Sequence, residues 1–135
     1  MEVKDKLLNI NLSIEVINDD VIATVVFSNN SHHICYLDIW TIGMHSTLTN
    51  SVFSVIDEER NYVPYYGMMG SRKIAPEDFI ALKKGESVQT KIVINNDYKL
   101  IKGKKYIIKF CAYNPTLPGI QSRLELLSNK VEITY

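Results

Sequence analysis

The chain has 135 residues, 46% of them hydrophobic, and its 15 basic and 15 acidic side chains cancel. This length fits one domain, spanning residues 1–135, with enough apolar material for a core. A formal charge of zero gives no electrostatic reason to expect nucleic acid or an anionic membrane as a partner, and no apolar run approaches the roughly 18 residues of a membrane span.

The N-terminal residues, Met1-Glu-Val-Lys-Asp-Lys6, contain no apolar core of a signal peptide and lead directly into a strand-like pattern. Two interpretations of the location stay open. The protein is cytoplasmic if the chain is complete, and it is secreted if an export signal has been removed.

Alternating hydrophobicity predicts β-strands from the start of the chain. Leu8 to Val16 alternates apolar with polar residues, a period of two that is typical of a half-buried strand. After a turn at Asn18–Asp20, the nearly continuous apolar run from Val21 to Phe27 suits a central strand. A second turn at Ser28–Ser31 leads into a third predicted strand from Ile34 to Trp40.

The middle of the chain is predicted to be less regular. Thr41 to Ser51 is largely polar and indicates a connection. Val52 to Ile56 predicts a short strand, and the charged turn at Asp57–Asn61 allows Tyr62 to Tyr66 to return as its partner. A long loop from Gly67 to Asp78 follows.

The C-terminal half is again strand-like. Strands are predicted at Phe79 to Leu82, Ser87 to Asn95, Lys105 to Tyr113 and Val131 to Tyr135. Asn114 to Gly119 is a loop because it holds two prolines and a glycine. Ala75–Asp78 and Leu124–Asn129 are the two candidates for a helical turn, and neither can build a helical layer. The pattern therefore predicts an all-β protein, an immunoglobulin-like antiparallel β-sandwich of about seven to nine strands.

The two cysteines, Cys35 and Cys111, are either free thiols or a disulfide. Cys35 shares a strand face with Leu37 and is predicted to be buried, whereas Cys111 shares a face with Lys109 and is predicted to face outward. These opposite phases favour free thiols, because disulfide geometry is strict.

No catalytic motif is present: the sequence lacks HExxH, GxSxG, a phosphate-binding glycine loop and CxxC. The neighbouring His32 and His33 point to opposite faces of a strand and cannot easily bind one ion. A metal site, or an enzyme, would need His45 and Asp38 to converge. We therefore expect a protein that is not an enzyme and has no metal or cofactor.

The aromatic, irregular segment from Tyr62 to Asp78 is the most distinctive part of the sequence. Long irregular loops in compact domains are usually functional or disordered. Tyrosine and methionine suit protein interfaces. The candidate partner-binding residues are Tyr65, Tyr66, Met68, Met69, Arg72 and Lys73.

A second interpretation of this loop is that it packs over the end of the sandwich and buries its own side chains. We expect this for Tyr62, leave it open for Tyr65, and give both interpretations equal weight from Tyr66 to Met69. The basic pair Arg72–Lys73 can occupy the substrate cleft of a protease, or it can be a solvated pair beside acidic neighbours. The solvated interpretation is favoured.

Several short motifs occur in a fixed order. They are Phe53-Ser-Val-Ile-Asp57, Val63-Pro-Tyr-Tyr-Gly67, Arg72-Lys73, Ala75-Pro-Glu-Asp-Phe79, Leu82-Lys-Lys-Gly-Glu-Ser87, Asn96-Asp-Tyr-Lys-Leu100 and Gly103-Lys-Lys-Tyr106. This order, together with the upstream strand and turn at Ala23–Asn30, resembles the non-catalytic N-terminal domain of deuterolysin-type and peptidyl-Lys zinc metalloendopeptidases. The resemblance spans most of residues 8–112.

This resemblance implies an immunoglobulin-like fold and a role in contacting a protease, as a pro-region does when it assists folding and holds the enzyme inactive. Lys84 stands where the family usually has proline. The zinc-binding helix that would follow is missing, so the peptidase activity is not implied.

Residues 21–30 and 82–106 are also similar to the stand-alone intracellular proteinase inhibitors of bacilli. The function expected from both resemblances is a non-catalytic module that binds a protein, a metalloendopeptidase or another protease, through the loop from Gly67 to Asp78. The alternative is a structural or adhesion-type domain that assembles through an edge strand.

Overall fold

A computed structural model describes residues 8–70, 73–115 and 124–135. Within these ranges the chain is all-β, as predicted. The strands are β1 Leu8–Ile17, β2 Asp20–Asn29, β3 Cys35–Asp38, β4 Phe53–Asp57, β5 Phe79–Leu82, β6 Ser87–Val93, β7 Lys105–Asn114, β8 Leu124–Leu127 and β9 Val131–Thr134, with 3₁₀ turns at Pro76–Asp78 and Ile94–Asn96. No helix of the described residues is long and apolar enough to cross a membrane.

The strands pair antiparallel in three sheets. One has the order β1-β2-β6, the second pairs β3 with β5, and the third is built on β7. β7 pairs with β4 along one edge, and with β9 and then β8 along the other. One buried cluster joins the sheets: Phe110 of β7 packs edge-to-face against Phe27 of β2 and Phe53 of β4, at centroid distances of 5.4 and 5.5 Å.

The segment Leu124–Asn129 is a correction to the sequence analysis. It is not helical: Leu124–Leu127 forms strand β8, with Leu126 buried between two exposed neighbours. Antiparallel pairing with β7 decides its conformation, because non-local strand contacts override a weak local preference.

Ser128 and Asn129, which lie between β8 and β9, connect the sheet built on β7 with the sheet that contains β1. The Phe110 N–H donates to Ser128 Oγ (2.8 Å), while the Ser128 N–H donates to the Phe110 carbonyl (3.0 Å). The Asn129 side chain accepts from the Leu12 N–H (2.8 Å) and donates to the Leu12 carbonyl (3.0 Å). Asn129 thus pairs with the outer edge of β1 as a neighbouring strand would.

The turn before β6 directs β5 towards β3. Gly85 has φ +83° and its N–H donates to the Asn29 carbonyl (2.7 Å), while the Asn29 N–H donates to the Glu86 carbonyl (3.0 Å). This is a β-bulge with glycine in the left-handed position. The fully buried Asn29 side chain also donates to the Leu82 carbonyl at the end of β5 (2.7 Å). The segment Leu82–Ser87 therefore has a structural role, because its hydrogen bonds to Asn29 hold the ends of β2, β5 and β6 together.

Smaller differences concern strand ends. The third strand stops at Asp38 rather than Trp40, because the Asp38 carboxylate accepts from the Thr41 N–H (3.1 Å) and hydroxyl (2.5 Å) and begins a turn. Both cysteines are free, Cys35 buried and Cys111 exposed, as their strand phases predicted. The predicted loop Asn114–Gly119 lies outside the described residues beyond Pro115, and Asn114 itself ends β7.

Candidate functional site

The backbone of the aromatic loop, defined here as residues 62–70, is anchored at three points. The Val63 N–H donates to the Val55 carbonyl of β4 (2.8 Å). The Tyr66 N–H donates to the Asp97 carbonyl, and the Gly70 N–H to the Thr49 carbonyl, both at 2.9 Å. The predicted return strand from Tyr62 to Tyr66 is reduced to isolated bridges, Ile56 with Tyr62 and Tyr65 with Tyr98.

Tyr65 is an internal support of this loop. Its half-buried ring lies 5.4 Å from the ring of Tyr98, and its hydroxyl donates to the Met68 carbonyl. Burial raises the pKa of the Tyr65 hydroxyl, with the Asp97 carboxylate adding to the effect. Tyr65 therefore packs within the loop, although its ring remains partly exposed.

Tyr62 is the reverse case, and the expectation that it packs inside the loop is wrong. Its side chain is 72% exposed. The Ile56–Tyr62 bridge pairs the backbone next to the turn, beyond the reach of the core, so the ring remains in solvent.

Gly67 allows the loop to approach the 3₁₀ turn closely. A Cβ at this position would lie 2.4 Å from Asp97 Oδ1 and 2.7 Å from the Tyr65 hydroxyl. Burial raises the pKa of the Asp97 carboxyl. Gly67 thus belongs to the packing of the loop, because a larger residue here would push the Asp97 carboxylate and the Tyr65 hydroxyl out of place.

Besides Tyr62, three large side chains project outward from this anchored backbone, and we call these three the exposed triplet. Tyr66, Met68 and Met69 are 59%, 59% and 68% exposed. The Tyr66 hydroxyl donates to the Asn95 carbonyl (3.3 Å), which orients the ring. Lys73 is exposed, and Arg72 lies outside the described residues.

An open cleft of about 640 Å³ lies beside the loop. Its lining comprises Thr41, Thr49, Asn50, Ser51, Val52, Gly70, Ile74, Cys111, Ala112, Tyr113 and Pro115. A second cleft of about 340 Å³ includes Tyr62 and Tyr65 and shares Ser51 and Cys111 with the first. Sequence reasoning did not identify these clefts, because they join distant segments. The only signal was the outward phase of Cys111.

His45 and Asp38, the pair that the sequence analysis considered for a metal site or an enzyme, lie in different environments. The exposed His45 ring packs on Trp40, with centroids 4.8 Å apart, whereas Asp38 is fully buried. Neither residue lines the two clefts. No group of three or more His, Cys, Asp and Glu side chains suited to a metal ion occurs in residues 8–70, 73–115 and 124–135.

Comparison of the chain with models of known protein families, and with curated proteins, finds no match.

Proposed function

We propose that this chain is a non-catalytic protein-binding module with an immunoglobulin-like sandwich fold, and that it engages a protease through the exposed triplet and the loop that carries it. The strand orders β1-β2-β6 and β4-β7-β8 correspond to the orders A-B-E and C-F-G in the two sheets of immunoglobulin domains. Tyr106, at the start of β7, accepts a hydrogen bond from the Ile101 N–H (2.7 Å), as in the tyrosine corner of that fold.

The observation that carries the binding proposal is the combination of an anchored backbone with exposed apolar side chains. Tyr66, Met68 and Met69 expose more than half of their surface, although the N–H groups of Tyr66 and Gly70 are held by the scaffold. A preorganised loop loses little conformational entropy on binding. Tyrosine and methionine supply large, adaptable contacts. The mechanism is steric: the loop fills a concave site on the partner.

The choice of a protease as the partner rests on the two family resemblances. An exposed Lys73 four residues after Met69 suits an inhibitory loop that enters a substrate cleft, with the remainder of the fold blocking access. The absence of catalytic motifs in the sequence supports a partner role rather than a peptidase role.

The test is a titration of purified protein against zinc, serine, cysteine and aspartic endopeptidases, with peptide hydrolysis and complex formation as readouts. We expect inhibition or a stable complex with at least one enzyme. The double variant Met68→Ala with Met69→Ala should then weaken the complex about ten-fold or more. If no enzyme binds at micromolar concentration, the proposal is wrong.

A matched control separates binding from folding. Ile107 and Leu127 are 41% and 45% exposed on β7 and β8, so replacing both with alanine also removes exposed apolar surface, in a smaller amount than the loop variant does. This variant should bind like the unmodified protein. Equal losses from both double variants would show that the loop has no special role.

A further inference from the structure

Among the described strands, β6 pairs along one edge only, with β2. Because the Asn29 N–H donates to Glu86 and hydrogen-bonded pairs alternate in an antiparallel ladder, every second residue of β6 faces β2. The outward-facing N–H and C=O groups belong to Ser87, Gln89, Lys91 and Val93. In the part of the chain that the structure describes, these groups have no hydrogen-bond partner. β5, which precedes β6 by one turn, pairs with β3 instead.

The other sheet edges are occupied or short. The outer edge of β4 is filled by the Tyr98 hydroxyl, which lies 3.1 Å from the Phe53 nitrogen and 3.0 Å from its carbonyl oxygen. Asn129 holds the middle of β1, and the break at Ser128 divides β8 from β9. Short or interrupted edges resist pairing, so β6 is the edge best suited to accept another strand.

We propose that β6 pairs antiparallel with β6 of a second copy of this chain, about a two-fold axis that passes beside Thr90. Thr90 is the central residue of Ser87–Val93, so this register pairs the strand over its whole length. The two three-stranded sheets would then form one continuous six-stranded sheet. An interface of this kind is self-complementary and closes at the dimer.

The side chains of β6 suit this register. Gln89 of one copy lies opposite Lys91 of the other, so no two like charges are directly opposed. A two-fold axis beside Lys91, which shifts the register by two residues, would instead place two lysines face to face. The zero formal charge of the chain adds no general repulsion between copies.

Thr90 supplies an independent observation. It is only 4% exposed, yet its hydroxyl has no hydrogen-bond partner among residues 8–70, 73–115 and 124–135. Buried hydroxyls are normally paired. In the proposed register the two Thr90 residues form a non-hydrogen-bonded pair with Cα atoms about 4.5 Å apart. Because each hydroxyl is buried inside its own monomer, a rotation about χ1 of Thr90 is needed before the two hydroxyls can bond across the strands.

The first test is sedimentation equilibrium from low micromolar to near-millimolar concentration. We expect a reversible change from the 15.4 kDa monomer to twice that mass. Gln89→Pro removes an outward N–H that the monomer does not use, and it should abolish the dimer, whereas Gln89→Ala should keep it. A monomer at every concentration, or a dimer unchanged in a folded Gln89→Pro variant, would overturn the proposal.

The second test reads the register and does not depend on proline. In a Cys111→Ser background, which removes the exposed native thiol, Gln89→Cys and Lys91→Cys chains are mixed and oxidised. Opposed hydrogen-bonded residues have Cα atoms about 5.5 Å apart, within the disulfide range. The mixture should cross-link, and each variant alone should not. Cross-linking of either variant alone as fast as the mixture would overturn this register.

Discussion

Replacing Tyr98 with phenylalanine should destabilise the fold far more than the loss of one hydroxyl group usually does. Tyr98 is 1% exposed, and its hydroxyl contacts the nitrogen and the carbonyl oxygen of Phe53 as well as Ser51 Oγ (3.2 Å). It therefore stands in for a neighbouring strand at the edge of β4. Phenylalanine would leave both backbone groups of the buried Phe53 unpaired, each at about 1–3 kcal/mol, so we expect a total loss of about 3 kcal/mol.

Tyr106→Phe is the matched control for this prediction. Tyr106 is 2% exposed, so both substitutions remove a buried hydroxyl from a similar environment. Among the described residues its hydroxyl has one hydrogen-bond partner, the Ile101 N–H, and we expect a loss of about 1 kcal/mol. Both variants replace a buried tyrosine with phenylalanine, so the change in the free energy of transferring the side chain from water is the same in each. The difference between the two losses of stability therefore reports the backbone hydrogen bonds.

Urea unfolding followed by circular dichroism measures both losses. With a slope of about 1.5 kcal/mol per molar urea, Tyr98→Phe should lower the midpoint by about 2 M and Tyr106→Phe by less than about 1 M. Equal midpoints for the two variants, with unchanged slopes, would refute the argument that the Tyr98 hydroxyl replaces a strand partner.

Three further predictions use the same unfolding assay. Asn129→Asp removes the donor to the Leu12 carbonyl and should cost about 1–2 kcal/mol at neutral pH. An unchanged midpoint would contradict the conclusion that the Asn129 side chain pairs with the edge of β1. Gly85→Ala introduces strain at φ +83° without a clash and should cost about 1 kcal/mol, so unfolding of this variant would be unexpected. Burial raises the pKa of the Asp97 carboxyl, so the fold is more stable when this carboxyl is neutral. That contribution to stability is lost as the pH rises through the folded-state pKa. Asp97→Asn should therefore be more stable than the unmodified protein at pH 7, and the difference should shrink near pH 3.

The sequence predicted the strands wherever alternation was strong. Ser87 to Asn95 was placed almost correctly as β6 because Thr90 and Ile92 alternate with polar residues on a half-buried sheet. It failed at Leu124–Leu127, where two adjacent leucines obscure the alternation and pairing with β7 determines the strand. Local patterns do not contain such distant contacts.

For the candidate site, the sequence identified the segment but not the task of each residue. It could not predict that Tyr65, rather than Tyr62, packs on Tyr98, because that contact depends on how β4 and the Ile94–Asn96 turn meet. The clefts around Cys111 were invisible for the same reason. Exposure of Met68 and Met69 followed one of the two interpretations that the composition had left open.

The residues that carry the family resemblance mostly serve the fold. Gly85 forms the bulge that releases β5, and the hydroxyls of Tyr98 and Tyr106 satisfy backbone groups. Such residues recur wherever this backbone recurs, so the resemblance bears more directly on architecture than on a partner. Met68 and Met69 have the opposite character, since both are exposed and neither side chain is part of the buried cluster. If the loop binds a protease, variants at these two positions should alter binding with stability unchanged, whereas variants at the three motif positions should alter stability first. If the variants at Met68 and Met69 and those at the three motif positions all change stability and binding in proportion, binding depends only on the folded fraction. The loop would then not be the binding site.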